Sequence, residues 1–358
     1  MADEPTPTAG PPPPPDGRGP RARGRVTVHP LRGLSDPALP PTDWRALLAA
    51  GDTREVFGTP EWLAAWRGWH RRGRLAPVLV CRAGRPVLLA PFLVDTGMVF
   101  LCGVGAADYL DLLGAVDDAP AVAAALAHAR RAAPGFVGFR LHHVPEDSRT
   151  GASLRAVAGP LGLELVDEGT AAAPYVDLAV DAATARPAAH RRSLLRHERG
   201  LRRAGSLAVS HARALPADSA LLDAFFDQHV ARWSATPHPS PLADPACRAF
   251  YRAVVAAGSA HGWLVFTALY LDGAPIAFHL GFDYAGSLLW YKPSFDPRHA
   301  ARSPGEVLLR QLLLLAGADA GCRRFDFGLG DEPFKYRFAT GVRRVRTWGL
   351  YPVAGTGR

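Results

Sequence analysis

Two stretches of this chain, far apart, carry the same signature, and an internal repeat limits the fold more than any single motif does. The segment AGRPVLLAPF at 83–92 matches DGAPIAFHLGF at 272–282, and APGFVGFRLH at 133–142 matches DAGCRRFDFG at 319–328. Each first piece opens on a turn dipeptide, Ala83-Gly84 or Asp272-Gly273, set between apolar runs. Pro77 to Arg82 and Pro86 to Val94 flank the first turn; Trp263 to Tyr270 and Pro275 to Phe282 flank the second. Both therefore read as antiparallel hairpins. A further strand, a helix and another strand follow in each copy: Met98 to Cys102, Ala119 to Ala132 and Phe136 to His142, then a strand ending in Trp290-Tyr291-Lys292, Val307 to Ala316 and Arg323 to Gly328. The order predicts two copies of one mixed αβ unit, at 25–180 and 181–358, behind a Pro-rich tail at 1–24 whose composition buries too little apolar surface to order itself.

The remaining elements follow from caps and periodicity. Arg25 to Leu31 alternates like a first strand. Thr59 to Arg71 reads as a capped helix with Leu63, Trp66 and Trp69 on one face, tryptophans that belong to the core rather than to a substrate platform. Arg186 to Ala204 reads as a helix carrying Arg191, Arg192, Arg196, Arg199, Arg202 and Arg203, either a solvated face or a rim that attracts phosphates. Helices at Asp218 to Trp233 and Asp244 to Ala257 are joined by a Pro-rich loop, Pro237 to Pro241, suited to walling a cleft. In Ser303-Pro304-Gly305-Glu306, Ser303 can cap the next helix, Pro304 suits its first position and Glu306 can close a capping box.

At 358 residues and 48% hydrophobic content the chain can fill two cores of ordinary size. No apolar run approaches the roughly 20 residues that span a bilayer. The start, Met1-Ala2-Asp3-Glu4-Pro5, lacks a basic region followed by an apolar stretch, so a cytoplasmic protein is expected. Cys81, Cys102, Cys247 and Cys322 stand apart from one another and from histidines at ligand spacing. That argues against a metal site or a disulfide framework and for buried free thiols. The net charge of +8 suits a nucleic acid, a phosphorylated cofactor or no particular partner, and of 41 basic residues only Lys292 and Lys335 are lysines, both in the second copy.

The copies differ where chemistry is concerned. Counted from Gly84 and Gly273, Ala90 takes the place of His279; counted from Gly135 and Gly321, Arg140 takes that of Asp326. The second copy is thus the one with ionisable partners.

The run YKPSFDPRHAARSPGEVLLRQLLLLAGADAGCRRFDFGLGDEPFKYRFA, preceded by FGTPEWLAAWRGW and GVGAADYLDLL, resembles the CelD/BcsL-type acyltransferases, a FemAB-like branch of the GNAT superfamily. The resemblance spans roughly residues 55 to 350. It implies two tandem GNAT-like domains, each a mixed, mostly antiparallel sheet flanked by helices. It also implies an N-acyltransferase that moves an acyl group from a thioester, acyl-CoA or an acyl carrier protein, to an amine of a small molecule, peptide or saccharide. An aminoacyl-tRNA-dependent amide-forming transferase, with tRNA as partner, and a non-catalytic assembly factor are the alternatives.

Carried onto this sequence, the GNAT layout puts His279 on a strand facing the cleft, as general base or as a satisfied core histidine. Tyr291 and Tyr336 are candidates for the acid that protonates the leaving thiolate. Asp326, Asp331 and Lys335 lie beside the amine, or Asp326 and Lys335 form a structural ion pair. Lys292, Asp108 and Tyr109 are candidates for contact with substrate, the last two in an Asp-Tyr-Leu-Asp motif that alternatively only stabilises a turn. The donor's phosphates are expected at Arg302, Ser303 and Gly305, with Arg298 nearby. The chain departs from the usual pattern there: Pro304 removes an N–H and Glu306 adds a negative charge. It departs again at Phe334, where relatives carry a tyrosine before the lysine.

Overall fold

The computed structural model describes residues 24–179, 185–234, 236–237 and 239–353. The tail expected at 1–24 lies outside them except for Gly24, whose carbonyl accepts a hydrogen bond from Arg82.

In the first half the elements are β1 (Val26–Pro30), α1 (Pro41–Ala50), α2 (Pro60–Trp69), β2 (Arg74–Leu75), β3 (Val78–Arg82), β4 (Arg85–Ala90), β5 (Phe92–Asp95), β6 (Met98–Leu101), β7 (Leu113–Gly114), α3 (Ala119–Ala132), β8 (Gly138–Pro145), α4 (Thr150–Val157) and β9 (Leu163–Asp177). The second half contains α5 (Ala185–Ala189), α6 (Arg192–Ala204), β10 (Leu207–Ala212), α7 (Ala220–Trp233), α8 (Pro245–His261), β11 (Leu264–Leu271), β12 (Ala274–Tyr284), β13 (Ser287–Phe295), α9 (Pro304–Ala318), β14 (Arg324–Asp326), α10 (Pro333–Tyr336) and β15 (Gly341–Pro352). The protein is a mixed α/β fold in which the second half repeats elements of the first, the class the repeat implies.

One eleven-stranded sheet, ordered β10-β11-β12-β13-β14-β9-β15-β8-β6-β5-β2, runs through both halves, and β1-β3-β4-β7 form a second, four-stranded sheet. In each half the hairpin is followed by a parallel pair, β6 with β8 and β13 with β14. The strand that stays whole as β12 is broken in the first half between β4 and β5 at Pro91, which cannot donate to a ladder. That break sends β4 to the small sheet and β5 to the large one.

Local chemistry explains the helices. Thr59 accepts the Trp62 N–H and Pro60 opens α2; Trp62 and Trp66 are fully buried, so the aromatic face is core as expected. Asp118 and Asp244 cap α3 and α8 in the same way. The single helix expected at 186–204 is two, because the backbone is extended at Arg191 (ψ 138°) between α5 and α6. The capping box expected at Ser303 is not formed. Ser303 is left-handed (φ 52°) and makes no side-chain cap, and the Glu306 carboxylate turns to Arg337 and His197 instead.

All four cysteines are free and buried. Among the described residues no group of three or more His, Cys, Asp or Glu is placed to hold a metal, and no helix is long and apolar enough to cross a membrane.

Candidate active site

The site begins with a misfit between two strands. Leu280 pairs with Lys292 and Phe282 with Leu289, so Trp290 and Tyr291 together face the single residue Gly281, a bulge on β13. A bulge bends its strand and increases the local twist. Here β13 parts from β14 once Leu289 has paired with Asp326. Beyond that point the edge of β13 toward β14 has no strand partner, and a cleft of about 740 Å³ opens between them.

His279 serves the bulge. The Tyr291 N–H, deprived of a ladder carbonyl, donates to His279 Nε2 (3.3 Å), and the imidazole stacks on Trp290 with ring centroids 5.0 Å apart. Only glycine fits at 281, since an added Cβ would lie 2.2 Å from both the His279 ring and the Leu289 carbonyl. Burial pushes the His279 pKa down to about 3. The expectation of a cleft-facing base is therefore corrected: His279 is fully buried behind Trp290 and is not among the residues lining the cleft.

The cleft is lined from several elements. Asp108 comes from the loop after β6, His229, Arg232 and Trp233 from α7, Pro239 to Pro241 from the Pro-rich loop, Trp290 to Phe295 from β13, and Glu332, Phe334 and Lys335 from α10 and its approach. Asp108 Oδ2 accepts the Leu329 N–H (3.2 Å). Burial pushes its pKa up, against the opposing pull of Lys292 and that N–H. Burial works to lower the Lys292 pKa, but Tyr251 and Asp108 outweigh it and the ammonium is held above its ordinary value. Its Nζ lies 4.5 Å from the centre of the Tyr291 ring.

Tyr291 also lines the cleft, but its hydroxyl donates to the Ala106 carbonyl (2.6 Å) and lies 3.3 Å from the Tyr251 hydroxyl. Burial raises its pKa well above that of a free phenol. Lys335 is almost wholly buried. Its ammonium binds the carbonyls of Gly328 (3.3 Å), Leu329 (2.7 Å) and Gly330 (3.4 Å) and pairs with Glu332 (2.9 Å), so it holds the loop that forms the cleft wall after β14.

Other expected residues lie elsewhere. Asp326 is buried beneath the cleft, accepting from the Tyr109 hydroxyl (2.8 Å) and the Gly328 N–H (2.7 Å), and is no partner of Lys335. Tyr109 is buried with it, under the Arg343 guanidinium (4.7 Å), and does not reach the cleft. Tyr336 is exposed and bonded to Asp331, and neither lines the cleft. Arg298 is exposed and paired with its neighbour Asp296 (2.6 Å), while Arg302 points outside the lining; Ser303 and Gly305 do line it.

Sequence reasoning missed His229. It completes the buried face of α7 with Leu222, Phe225 and Phe226, and a polar residue on an apolar stripe was the available signal. Its Nδ1 lies 2.8 Å from Ser240 Oγ, and burial, helped by Lys292, pushes its pKa down to about 3.

Three buried polar atoms of the lining have no hydrogen-bond partner among the described residues: Trp233 Nε1, Ser294 Oγ and Glu306 Oε2, the last with only His197 Nε2 at 3.4 Å. Buried polar groups in folded proteins are nearly always paired, so Trp233 Nε1 and Ser294 Oγ are open to a ligand or to water. With the unpaired edge of β13 they suit an arm carrying amides, as a pantetheine thioester does. The start of α9 does not suit a diphosphate. Pro304 offers no N–H, the Phe295 ring closes on Gly305 (3.2 Å from an added Cβ), and the Glu306 carboxylate already lies at the helix N-terminus.

In the first half, a small cavity bounded by Cys102, Tyr109, Leu110 and Leu113 holds about 10 Å³, and an open cleft of about 730 Å³ lies at the end of β8, between Glu146, Arg149, Arg155 and Trp348.

Residues 188–336 match the family described as "Acetyltransferase (GNAT) domain". That span is similar to a GNAT domain. The matched span contains the bulge, the splayed pair β13 and β14, and the start of α9. None of the curated protein sequences matches the chain. Among solved structures, FemX is 10% identical with a TM-score of 0.63, covering 88% of this chain and 96% of that one. A "tandem GNAT protein from the clavulanic acid biosynthesis pathway" is 15% identical at 0.54, covering 92% and 100%. L-PGS from Bacillus licheniformis is 13% identical at 0.54, covering 88% and 92%. At these identities the likeness is one of fold, and it extends over both halves of the chain.

Proposed function

We propose that the chain is an N-acyltransferase of the CelD/BcsL type, moving an acyl group from a pantetheine-like thioester to the amine of a small molecule, peptide or saccharide. The observation that carries this reading is the cleft opened by the β13 bulge inside the GNAT domain, with Asp108 and Lys292 facing it. The thioester arm lies along the free edge of β13. Asp108, made more basic by burial, takes a proton from the acceptor ammonium, and the amine nitrogen attacks the thioester carbon. Lys292, which keeps its charge, faces the oxyanion that develops. As the carbon–sulfur bond breaks, Lys292 gives a proton to the thiolate and takes up the one left on nitrogen, so its charge is restored. The buried His279, Asp326 and Tyr291 position this machinery rather than react.

The test is thiol release from acyl-pantetheine, acyl-CoA and an acylated carrier protein, each with mixed diamines, amino sugars and peptides as acceptors. Asp108→Asn and Lys292→Met are each expected to lower kcat/KM by about 100-fold. The acid limb of the wild-type pH profile should lie above the usual carboxylate range and vanish in Asp108→Asn. Variants as active as wild type would remove these assignments. An aminoacyl-tRNA donor is the second reading, favoured by the exposed arginines of α6.

A further inference from the structure

Helix α6 has two faces. Leu194, Glu198 and Leu201 are buried on the side turned to α9, and His197, on the flank, reaches Glu306 in the cleft wall (3.4 Å). On the opposite side stand Arg192, Arg196, Arg199 and Arg203, spaced four, three and four apart and therefore in one row. All four are exposed, and among the described residues none has a carboxylate within ion-pair distance. Their neighbours are paired: Arg202 and Arg310 share Glu198, and Arg337 meets Glu306. Four unpaired guanidiniums along about 17 Å of helix repel one another, and an acidic surface relieves that repulsion.

The cleft restricts what brings that surface. Its walls suit a pantetheine arm, yet the start of α9, with Pro304, Glu306 and the Phe295 ring, is unsuited to the diphosphate of a nucleotide-bearing donor. A carrier protein presents the same arm through one phosphodiester and supplies acidic residues of its own. We propose that the donor is an acidic acyl carrier protein and that the arginine row of α6 is its docking surface; this rests on the thioester reading above. RNA is the less favoured occupant. Single-stranded recognition needs aromatic platforms, and the large apolar side chains exposed among the described residues, Val137, Val209, Tyr336, Val342 and Val353, all lie off α6.

The experiment compares wild type with the double variant Arg196→Glu/Arg199→Glu, using acetylated holo acyl carrier protein of the bacterial fatty-acid type, acetyl-pantetheine, and bulk bacterial tRNA. Carrier binding by calorimetry is measured alongside turnover. In the variant, carrier affinity should fall at least about tenfold and KM for the carrier-borne donor should rise to match, with kcat unchanged. KM for acetyl-pantetheine should not move, and added salt should weaken carrier binding to wild type alone. Carrier that fails to bind wild type, or binds the variant equally well, overturns the proposal, as does tRNA captured in its place and lost in the variant. If no thioester is turned over, the enzymatic reading fails. The docking surface then stands or falls on the calorimetry alone.

Discussion

His279 and His229 show what single residues contribute here. Both are buried near the cleft, both are held neutral with pKa values pushed down to about 3, and neither is free to act as a base near neutral pH. For His279 the consequence is measurable. The unfolded chain takes up a proton near pH 6.5, whereas the native imidazole resists it to about pH 3. Its contribution to stability is therefore intact above pH 6.5 and is lost as pH falls through that window, by about 1.4 kcal/mol per pH unit. The difference in unfolding free energy between wild type and His279→Gln, measured in urea from pH 7 to pH 4, should shrink with that slope. The His279 ring resonances should stay those of a neutral imidazole over the same range. Titration near pH 6.5 in the native protein would contradict this account. Alternation along Pro275 to Phe282 located His279 on its strand, but the facing direction depends on a bulge in the neighbouring strand, of which β12 itself shows only Gly281. Lys335 is a comparable case. Its rarity marked it, yet its partners are backbone carbonyls, which a sequence does not single out.

Among the elements, β13 decides the site. Its bulge depends on Gly281 opposite, where an alanine Cβ would meet a backbone carbonyl and the His279 ring at 2.2 Å each. The carbonyl cannot move without breaking the ladder. Gly281→Ala should therefore cost about 3 kcal/mol or more in denaturant unfolding and abolish acyl transfer. A variant with native stability would mean that the bulge is not locked by this contact. The hairpins, several of the helices and the Thr59 cap were legible because local chemistry sets them. The Ser303 cap was not. A capping box presumes that Glu306 has no better partner, and Arg337 with His197 supplies one from distant parts of the chain.

At the scale of the molecule, the long strands β9 and β15 were invisible to periodicity, although they lie in the middle of the large sheet. Their exposed faces are charged and satisfied across strands, Arg346 by Glu146 and Asp167, Arg140 by Glu168, so neither reads as an apolar run. Their placement is also an exchange. β9, the last strand of the first half, pairs with β14 of the second, and β15, the last strand of the chain, lies between β9 and β8 of the first. Arg343 on β15 adds a buried ion pair to Glu55 and a second pair to the exposed Asp147 across the same junction. A division at residues 180 and 181 follows the repeat but leaves each half with a strand whose partners are in the other. Expressed separately, fragments 24–180 and 181–353 would each expose unpaired central edges and should aggregate or stay unfolded. Expressed together, they should form one soluble complex that restores thioester turnover, since β9 and β15 can pair without being joined across the cut. Size-exclusion chromatography and circular dichroism of the separate and combined fragments distinguish the outcomes. A monomeric, cooperatively folding 181–353 fragment would mean that the second half builds its sheet without the strand it borrows, and that the first unit's remaining role is to deliver Asp108 to the cleft.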